Sequence, residues 1–343
     1  MKYKKLGGSE LNVSAVALGG NTFGPPRLSL SDSIACIGRA EELGINFIDT
    51  ANIYGAGDSE SFIGKAISGT RDKWIIGTKF NFWNAAENES VTQQIQRQCE
   101  ESLSKLNTEY IDLYQLHAPD PAVSMAEVLE ALKALIDQGK VRYVGACNIS
   151  SWRHAKALHM ARSEGLPELI SIQNHYNLIR RHVELETLPY CASENVGFIP
   201  YFPLAGGFLT DKYNKGEVAP AGTRGASGSP IVRHSRSAKN EEIQEQLKQW
   251  SKQQGHTLNE LAIAWLLNAP FEYALLTWAF TIASALVINQ LKNHALQKFS
   301  GAAFMCFGLF LLILLPMPQW FLLCSVFFMI KVVFSFAVDH YAH

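Results

Sequence analysis

The sequence lacks an excess of charge of either sign, and it lacks paired cysteines. Lys and Arg total 30 and Asp and Glu total 31, so the net charge is −1. Nucleic acid as a partner would require a basic surface, which this balance does not predict. The six cysteines are scattered, with no Cys-x-x-Cys pair, which argues against a metal site and favours a reducing compartment. The polar N-terminus also lacks the apolar core of a secretory signal.

Charge is missing altogether from one segment near the C-terminus. Residues 300–330 form a run of 31 residues without Asp, Glu, Lys or Arg. Because a helix of about 20 apolar residues crosses a bilayer, we expect residues 271–343 to form a hydrophobic transmembrane tail that attaches the protein to the membrane. The apolar stretches predict two or three spans, at about 273–288, 300–315 and 321–338.

Residues 1–270 have a different pattern, in which short apolar runs alternate with helical patterns of about a dozen residues or more. Such runs are typical of parallel strands that are covered on both faces. The predicted strands are 15–19, 46–51, 74–79, 111–116, 143–147, 169–174 and 196–202. The predicted helices include 31–43, 90–106 and 125–138, and residues 216–230 are predicted to form a long loop.

Strand–helix alternation predicts an α/β fold with a parallel sheet. An open doubly wound sheet normally has a Gly-x-Gly-x-x-Gly turn after its first strand, but here the sequence is LGGNTFG. Seven β/α units therefore favour a TIM (β/α)₈-type barrel over residues 1–270. The pattern ends one β/α unit short, because residues 271–288 resemble an apolar helix more than a strand and loop. An incomplete barrel would expose the edges of its first and seventh strands.

Polar residues gather at or just after the carboxyl ends of the predicted strands. In a parallel barrel these ends meet at one rim, where the active site lies. A single Asp, Asn or His at such a place is often only structural, but a set on successive strands predicts a site. The set comprises Asp49, Tyr54, Lys79, His117, Asn148, Gln173 and Tyr201.

Four of these residues match the needs of carbonyl reduction. Hydride transfer to a carbonyl requires a proton donor for the oxygen. A tyrosine hydroxyl such as Tyr54 is a weak acid, whose pKa a nearby ammonium such as Lys79 lowers. Asp49 would keep that ammonium charged, and His117 would orient the carbonyl or relay a proton. Acyl transfer is not predicted, because none of the four is a good nucleophile with an adjacent base.

Six sequence blocks resemble aldo-keto reductases in their order and spacing. They are FIDTANIYG (47–55), GTKF (77–80), IDLYQLHAPD (111–120), GACN (145–148), QNHYN (173–177) and YFPLAGGFLTDKY (201–213). The resemblance covers residues 1–270 and implies a TIM barrel that uses NADPH to reduce a small-molecule aldehyde or ketone. It implies Tyr54 as general acid, Lys79 and Asp49 as the residues that tune it, and His117 as the residue that orients the carbonyl.

The resemblance also implies a cofactor site. Asn148 and Gln173 would hydrogen-bond the nicotinamide carboxamide, and Tyr201 would stack on the ring. The backbone of Leu204–Gly207, which includes Gly206, would approach the pyrophosphate. The family usually has Ser where this chain has Cys147, which weakens one hydrogen bond.

Three functional hypotheses remain open at this point. The first is an NADPH-dependent reductase held at the membrane by its tail, with the barrel in the cytoplasm. The second is an inactive fusion or truncation product whose barrel does not close. The third is an NADPH-sensing regulatory module attached to a membrane protein. The rim aromatics Phe23, Phe82, Trp83 and Trp152 either form an apolar substrate pocket or pack elsewhere.

Overall fold

Parallel strands form the centre of the protein. The structure is a computed structural model and describes residues 1–83 and 88–268, together with the strand Leu276–Thr277. The strands are β1 (Tyr3–Lys5), β2 (Asn12–Ser14), β3 (Val16–Gly19), β4 (Phe47–Asp49), β5 (Ile75–Phe80), β6 (Ile111–Leu116), β7 (Val141–Cys147), β8 (Leu169–His175), β9 (Gly197–Tyr201) and β10 (Leu276–Thr277). The seven strands predicted for the sheet correspond to β3–β9.

The strands β3–β9 pair in chain order, and every pair is parallel. The register sets Asp49 beside Gly19 and Gly77, and it sets Lys79 beside Gln115. Because the strands twist, the sheet curls, as in a TIM-type barrel. The predicted α/β fold is confirmed in this form.

A short eighth strand departs from the prediction. Where the sequence pattern predicts an apolar helix, β10 pairs with β3 in parallel, with Leu276 beside Val16 and Thr277 beside Ala17. Cα atoms of β10 also lie within 8 Å of β9. The unpaired N–H and C=O groups of an edge strand favour pairing with another strand. The periodicity of residues 273–288 does not record this, because it reflects only the local sequence.

Helices follow most strands. They are α1 (Leu30–Glu42), α2 (Asp58–Ala66), α3 (Val91–Leu106), α4 (Met125–Asp137), α5 (Ser151–Glu164), α6 (Thr187–Glu194), α7 (Pro230–Ser235), α8 (Ala238–Gln253) and α9 (Leu258–Leu267). Capping boxes fix the starts of α1, α3 and α9, as in the pair Ser90 and Gln93 before α3. The predicted helices 31–43, 90–106 and 125–138 are confirmed within one or two residues.

No helix in the part of the chain that the structure describes is long and apolar enough to cross a membrane. The predicted spans 300–315 and 321–338 lie outside the described residues, as does most of the span 273–288.

The hairpin of β1 and β2 covers part of the barrel core. Its buried side chains Leu6, Leu11 and Val13 pack with Phe47 and Leu113 in one cluster. Gly7 permits this close approach, since its φ is +55° and an added Cβ atom would lie 2.5 Å from a backbone oxygen of β8. The polar residues of the site lie elsewhere, after the carboxyl ends of the strands.

Candidate active site

A buried ion pair lies at the carboxyl ends of β4 and β5. The Lys79 ammonium donates hydrogen bonds to both carboxylate oxygens of Asp49, at 2.8 and 2.9 Å, and to the carbonyl oxygen of Thr50 at 2.7 Å. Both side chains are almost fully buried. Gln115 on β6 adds an amide contact to Asp49 at 3.3 Å. A buried pair keeps one geometry when further hydrogen bonds satisfy its charges, and Thr50 and Gln115 contribute these bonds.

The pair also sets the charge of Lys79. Burial lowers the pKa of the ammonium, but its surroundings, first among them the Asp49 carboxylate, outweigh burial and raise the pKa above its usual value. Lys79 therefore carries a positive charge at neutral pH. The predicted role of Asp49, to keep this ammonium charged and oriented, agrees with the geometry.

Tyr54 begins a 3₁₀ turn, Tyr54–Gly57, that follows β4. The Lys79 Nζ atom lies 5.2 Å from the centroid of its ring. Burial raises the pKa of Tyr54 to about 12, although the Lys79 charge acts in the opposite direction. The lowering influence of Lys79 is therefore as predicted, but the net direction is the reverse, because desolvation outweighs it. Tyr54 is protonated at neutral pH, as a proton donor must be.

His117 follows β6 directly and packs against two aromatic rings. The Tyr54 ring meets it edge to face with centroids 5.8 Å apart, and the Trp83 ring lies at 5.0 Å. Burial and, secondarily, the Lys79 charge lower the pKa of His117 to about 3, so the ring is neutral. Its Nδ1 atom is buried and has no hydrogen-bond partner among the described residues. A neutral imidazole with an unused nitrogen suits contact with a polar ligand group.

Asn148 directly follows β7, Gln173 lies on β8 and Tyr201 ends β9. Asn148 has a left-handed backbone, with φ 52°, and its amide donates to the His117 carbonyl oxygen at 2.9 Å. The Tyr201 hydroxyl donates to Asn148 Oδ1 at 2.7 Å. The Cys147 thiol donates to Gln173 Oε1 at 2.8 Å. The structure thus brings the three predicted cofactor-binding side chains to the rim that carries His117.

The backbone after β9 turns sharply. Leu204 precedes the 3₁₀ turn Ala205–Gly207, in which φ is 71° at Gly206 and 105° at Gly207. A Cβ atom added to Gly207 would lie 2.9 Å from Lys212 Nζ. Glycine suits this place because of both the left-handed φ and the close ammonium. The turn therefore presents backbone beside a positive charge.

Three basic residues near this turn were missed from the sequence. Lys212 Nζ lies 5.5 Å from the Tyr213 ring, and the Tyr213 hydroxyl accepts a hydrogen bond from the backbone next to Arg224. Burial and then the charge of Arg27 lower the pKa of Arg224. Lys212 lies inside one of the sequence blocks that resemble the family. Arg27 and Arg224 lie in loops, where no strand or helix periodicity predicts the direction of a side chain.

The four rim aromatics have different environments. Phe23 is fully buried and Phe82 nearly so, which makes both part of the core. Trp83 and Trp152 are 55% and 61% exposed. Trp83 packs against His117, whereas Trp152 packs against the neighbouring Arg153 guanidinium. Of the predicted pocket residues, Trp83 is therefore the one that the structure sets beside the site.

The sequence profile of the Aldo/keto reductase family matches residues 15–297. The match extends past residue 270, where the resemblance was predicted to end, and so includes β10. The chain is 34% identical over 300 residues to Aldo-keto reductase AFTS1 of Alternaria alternata, covering 77% of this chain and 80% of that protein.

Two further relatives have names other than aldo-keto reductase. The chain is 31% identical over 301 residues to versiconal hemiacetal acetate reductase of Aspergillus parasiticus, covering 80% of this chain and 87% of that protein. It is 34% identical over 282 residues to a putative voltage-gated potassium channel subunit beta of Schizosaccharomyces pombe, covering 78% and 81%. With this geometry, profile match and identity, the chain belongs to the aldo/keto reductase family, whose enzymes are oxidoreductases that generally use NAD(P)H.

Proposed function

We propose that the protein reduces an aldehyde or ketone to an alcohol with NADPH, and that Tyr54 is the general acid. The observation that carries the proposal is the buried Asp49–Lys79 pair, whose ammonium lies 5.2 Å from the centroid of the Tyr54 ring. A buried ion pair needs excellent geometry to be stable, and here its cation is placed next to a protonated phenol.

Each residue has one task in this reaction. As negative charge develops on the carbonyl oxygen, the Tyr54 hydroxyl donates its proton to that oxygen. Lys79 stabilises the charge that appears on the Tyr54 oxygen, and Asp49 holds Lys79 in place. His117 donates an N–H to the carbonyl oxygen and orients it. A proton relay through protonated His117 is disfavoured, because its pKa is lowered to about 3. NADPH, when bound, supplies the hydride.

The residues present fit such a cofactor. Asn148 and Gln173 offer amide groups beside His117, and Tyr201 offers a ring at the same rim. The Leu204–Gly207 segment presents backbone next to Lys212, and Arg27 and Arg224 add positive charge. Because NADPH carries one more phosphate than NADH, these cations support NADPH as the preferred form.

The experiment is NADPH oxidation with a panel of simple aldehydes, by wild-type protein and by Tyr54→Phe. Wild-type turnover together with a loss of about 10² to 10⁴-fold in the variant supports the proposal. Fluorescence titration of NADPH is the control, since Phe keeps the ring and is expected to bind the cofactor as before. Equal turnover would exclude Tyr54 as the acid. If wild-type protein binds no NADPH, the chain is an inactive product of fusion or truncation.

A second candidate function is an NADPH-sensing module on a membrane protein. It is favoured by the 34% identity to the relative named a potassium channel subunit beta. This function predicts NADPH binding without appreciable turnover, and a membrane partner that co-purifies in mild detergent. The intact set of Asp49, Tyr54, Lys79 and His117 favours the reductase.

For the cellular location, we propose that the residues after 297, which make up most of the predicted tail 271–343, attach the protein to a membrane, with the barrel in the cytoplasm. The support is the uncharged stretch 300–330. Membrane fractionation of full-length protein tests this proposal, with a chain ending at residue 297 as the control. Recovery of both forms in the soluble fraction would contradict it.

A further inference from the structure

A buried amide network joins the helix α3 to two loops of the candidate site. Gln98 Oε1 accepts hydrogen bonds from Asn52 Nδ2 at 2.7 Å and from the Asn81 backbone N–H at 3.1 Å. Gln98 Nε2 donates to the Asn81 carbonyl oxygen at 2.9 Å. Asn81 Nδ2 donates in turn to Asn52 Oδ1 at 3.1 Å. One side chain from outside the barrel therefore contacts both loops, and the loops also contact each other.

The two loops carry the two aromatic rings that pack against His117. Asn52 lies two residues before Tyr54. Asn81 lies two residues after Lys79, and its Oδ1 atom accepts a hydrogen bond from the Trp83 backbone N–H at 3.1 Å. The network thus links the Tyr54 ring, 5.8 Å from His117, to the Trp83 ring, 5.0 Å from it.

The network is built to specify a single arrangement. Gln98 is 5% exposed and Asn81 is 4% exposed, so water does not easily replace a lost bond. Removing Gln98 leaves the buried Asn81 backbone N–H without its acceptor, which is more costly than the loss of the bond itself. Neighbouring hydrogen bonds also polarise and strengthen one another. A loop that moves must therefore break several contacts together.

We propose that Gln98 is a positioning residue, which fixes the Tyr54 loop and the Trp83 loop relative to His117 through Asn52 and Asn81. Its consequence for turnover rests on the proposed reductase function, whereas its hold on the two loops does not. Proton donation is sensitive to small misplacements of the donor. The predicted effect is therefore a lower kcat with little change in NADPH affinity, because Asn148, Gln173 and Tyr201 lie on other strands.

The test compares Gln98→Met with Ile95→Val. Methionine has about the size of glutamine but removes its donor and acceptor. Ile95 is a fully buried residue of the same helix, one turn earlier, and its truncation supplies a matched loss of thermal stability. The readouts are hydrogen–deuterium exchange of peptides that cover 51–54 and 81–83, kcat with a simple aldehyde, and the Kd of NADPH.

In Gln98→Met, exchange is expected to rise by about fivefold or more in both peptides, and kcat to fall by about tenfold or more. The Kd of NADPH is expected to stay within about threefold. Ile95→Val is expected to change none of the three. Asn52→Ala is expected to lower kcat as Gln98→Met does. The double variant is expected to lose less than the product of the two effects, because both changes remove the same hydrogen bond between Asn52 and Gln98.

Two outcomes would overturn the inference. One is unchanged exchange in either peptide of Gln98→Met, and the other is faster exchange with wild-type kcat in an active enzyme. If wild-type protein does not oxidise NADPH but both peptides of Gln98→Met exchange faster, the network holds the loops as inferred, and the proposed function is the part that fails.

Discussion

Two buried aspartates bind cations at opposite ends of the strands, and they differ in what surrounds them. Asp112, near the start of β6, accepts hydrogen bonds from Arg71 at 2.7 Å, Arg142 at 2.9 Å and the Ile76 backbone N–H at 2.9 Å. Both guanidinium groups pack on the Tyr110 ring, about 4 Å from its centroid. Asp112 is therefore surrounded by donors, and its cations reach solvent.

Asp49 binds Lys79 with similar distances, but its neighbours are incompletely satisfied. Gln115 Oε1 and His117 Nδ1 are buried without a hydrogen-bond partner among the described residues. A buried ion pair alone is thus weak evidence for function, since both ends of the strands have one. The protonated Tyr54 and the neutral His117 beside the pair distinguish the end that has chemistry to perform.

The largest expected effect is that of Lys79→Met. It removes the charge that stabilises the Tyr54 oxygen, so kcat is expected to fall by about 10³-fold. It also leaves Asp49 buried and unpaired, at a cost of about 3–5 kcal/mol in the free energy of unfolding. Denaturant unfolding and kcat per folded molecule separate the two effects. Lys73→Met, which breaks an exposed pair with Glu41, is the control and is expected to change neither.

Asp112→Ala is expected to affect stability alone. It removes a buried acceptor of three donors and should lower the free energy of unfolding by about 2–4 kcal/mol. The value lies toward the lower part of that range if Arg142, whose side chain is 53% exposed, regains water. The kcat of the folded fraction should stay within about twofold. A loss of kcat comparable to that of Lys79→Met would remove the distinction between the two aspartates.

The pH dependence of kcat tests whether His117 acts as a neutral donor. Because its pKa is about 3 and that of Tyr54 about 12, neither group changes its charge between about pH 6 and 10, and kcat is expected to be level there. Stability behaves differently, because unfolded His117 binds a proton below its ordinary pKa of about 6.5, whereas folded His117 does not. The contribution of His117 to the free energy of unfolding therefore falls as pH drops from about 6.5 toward 3. A limb of kcat with a midpoint near pH 6.5 would instead indicate a proton relay.

The smallest effect is expected at Glu60, a third buried carboxyl. It accepts a hydrogen bond from Thr78 at 2.6 Å, and burial raises its pKa. The folded carboxyl keeps its proton to a higher pH than the unfolded one. The contribution of Glu60 to stability is therefore greatest below about pH 4.5 and falls as pH rises toward the raised pKa.

Glu60→Gln is expected to remove this pH dependence and to stabilise the protein by about 1 kcal/mol at neutral pH. Thermal unfolding at two pH values measures it. Glu130→Gln, at an exposed position of α4, is the control. A destabilised Glu60→Gln protein would show that the charged form of Glu60 is favoured after all.

The sequence predicted the strands, most of the helices and the residues of the rim, because a doubly covered parallel strand is a short apolar run followed by a polar end. The periodicity located 111–116 without error and 75–80 within one residue. Asp49, Lys79 and His117 follow from the rule that the carboxyl ends of parallel strands meet at one rim.

Other features depend on packing that no local pattern records. Gln98 looks like a solvent-exposed residue of a polar helix, and its burial appears only when α3 contacts the two loops. The strand β10 pairs with the edge of β3, although the two strands are far apart in the sequence. The net pKa of Tyr54 depends on how far burial outweighs the charge of Lys79. A sequence motif indicates that Lys79 is nearby, but it does not indicate how deeply Tyr54 is buried.

The most direct test of the account is the single-turnover oxidation of enzyme-bound NADPH by a carbonyl substrate, measured by stopped flow with wild-type protein and Tyr54→Phe. This measurement isolates the chemical step from product release. We expect a rate at least about 100-fold slower in the variant, at saturating NADPH. Equal rates would contradict the claim that the phenol beside the Asp49–Lys79 pair donates the proton.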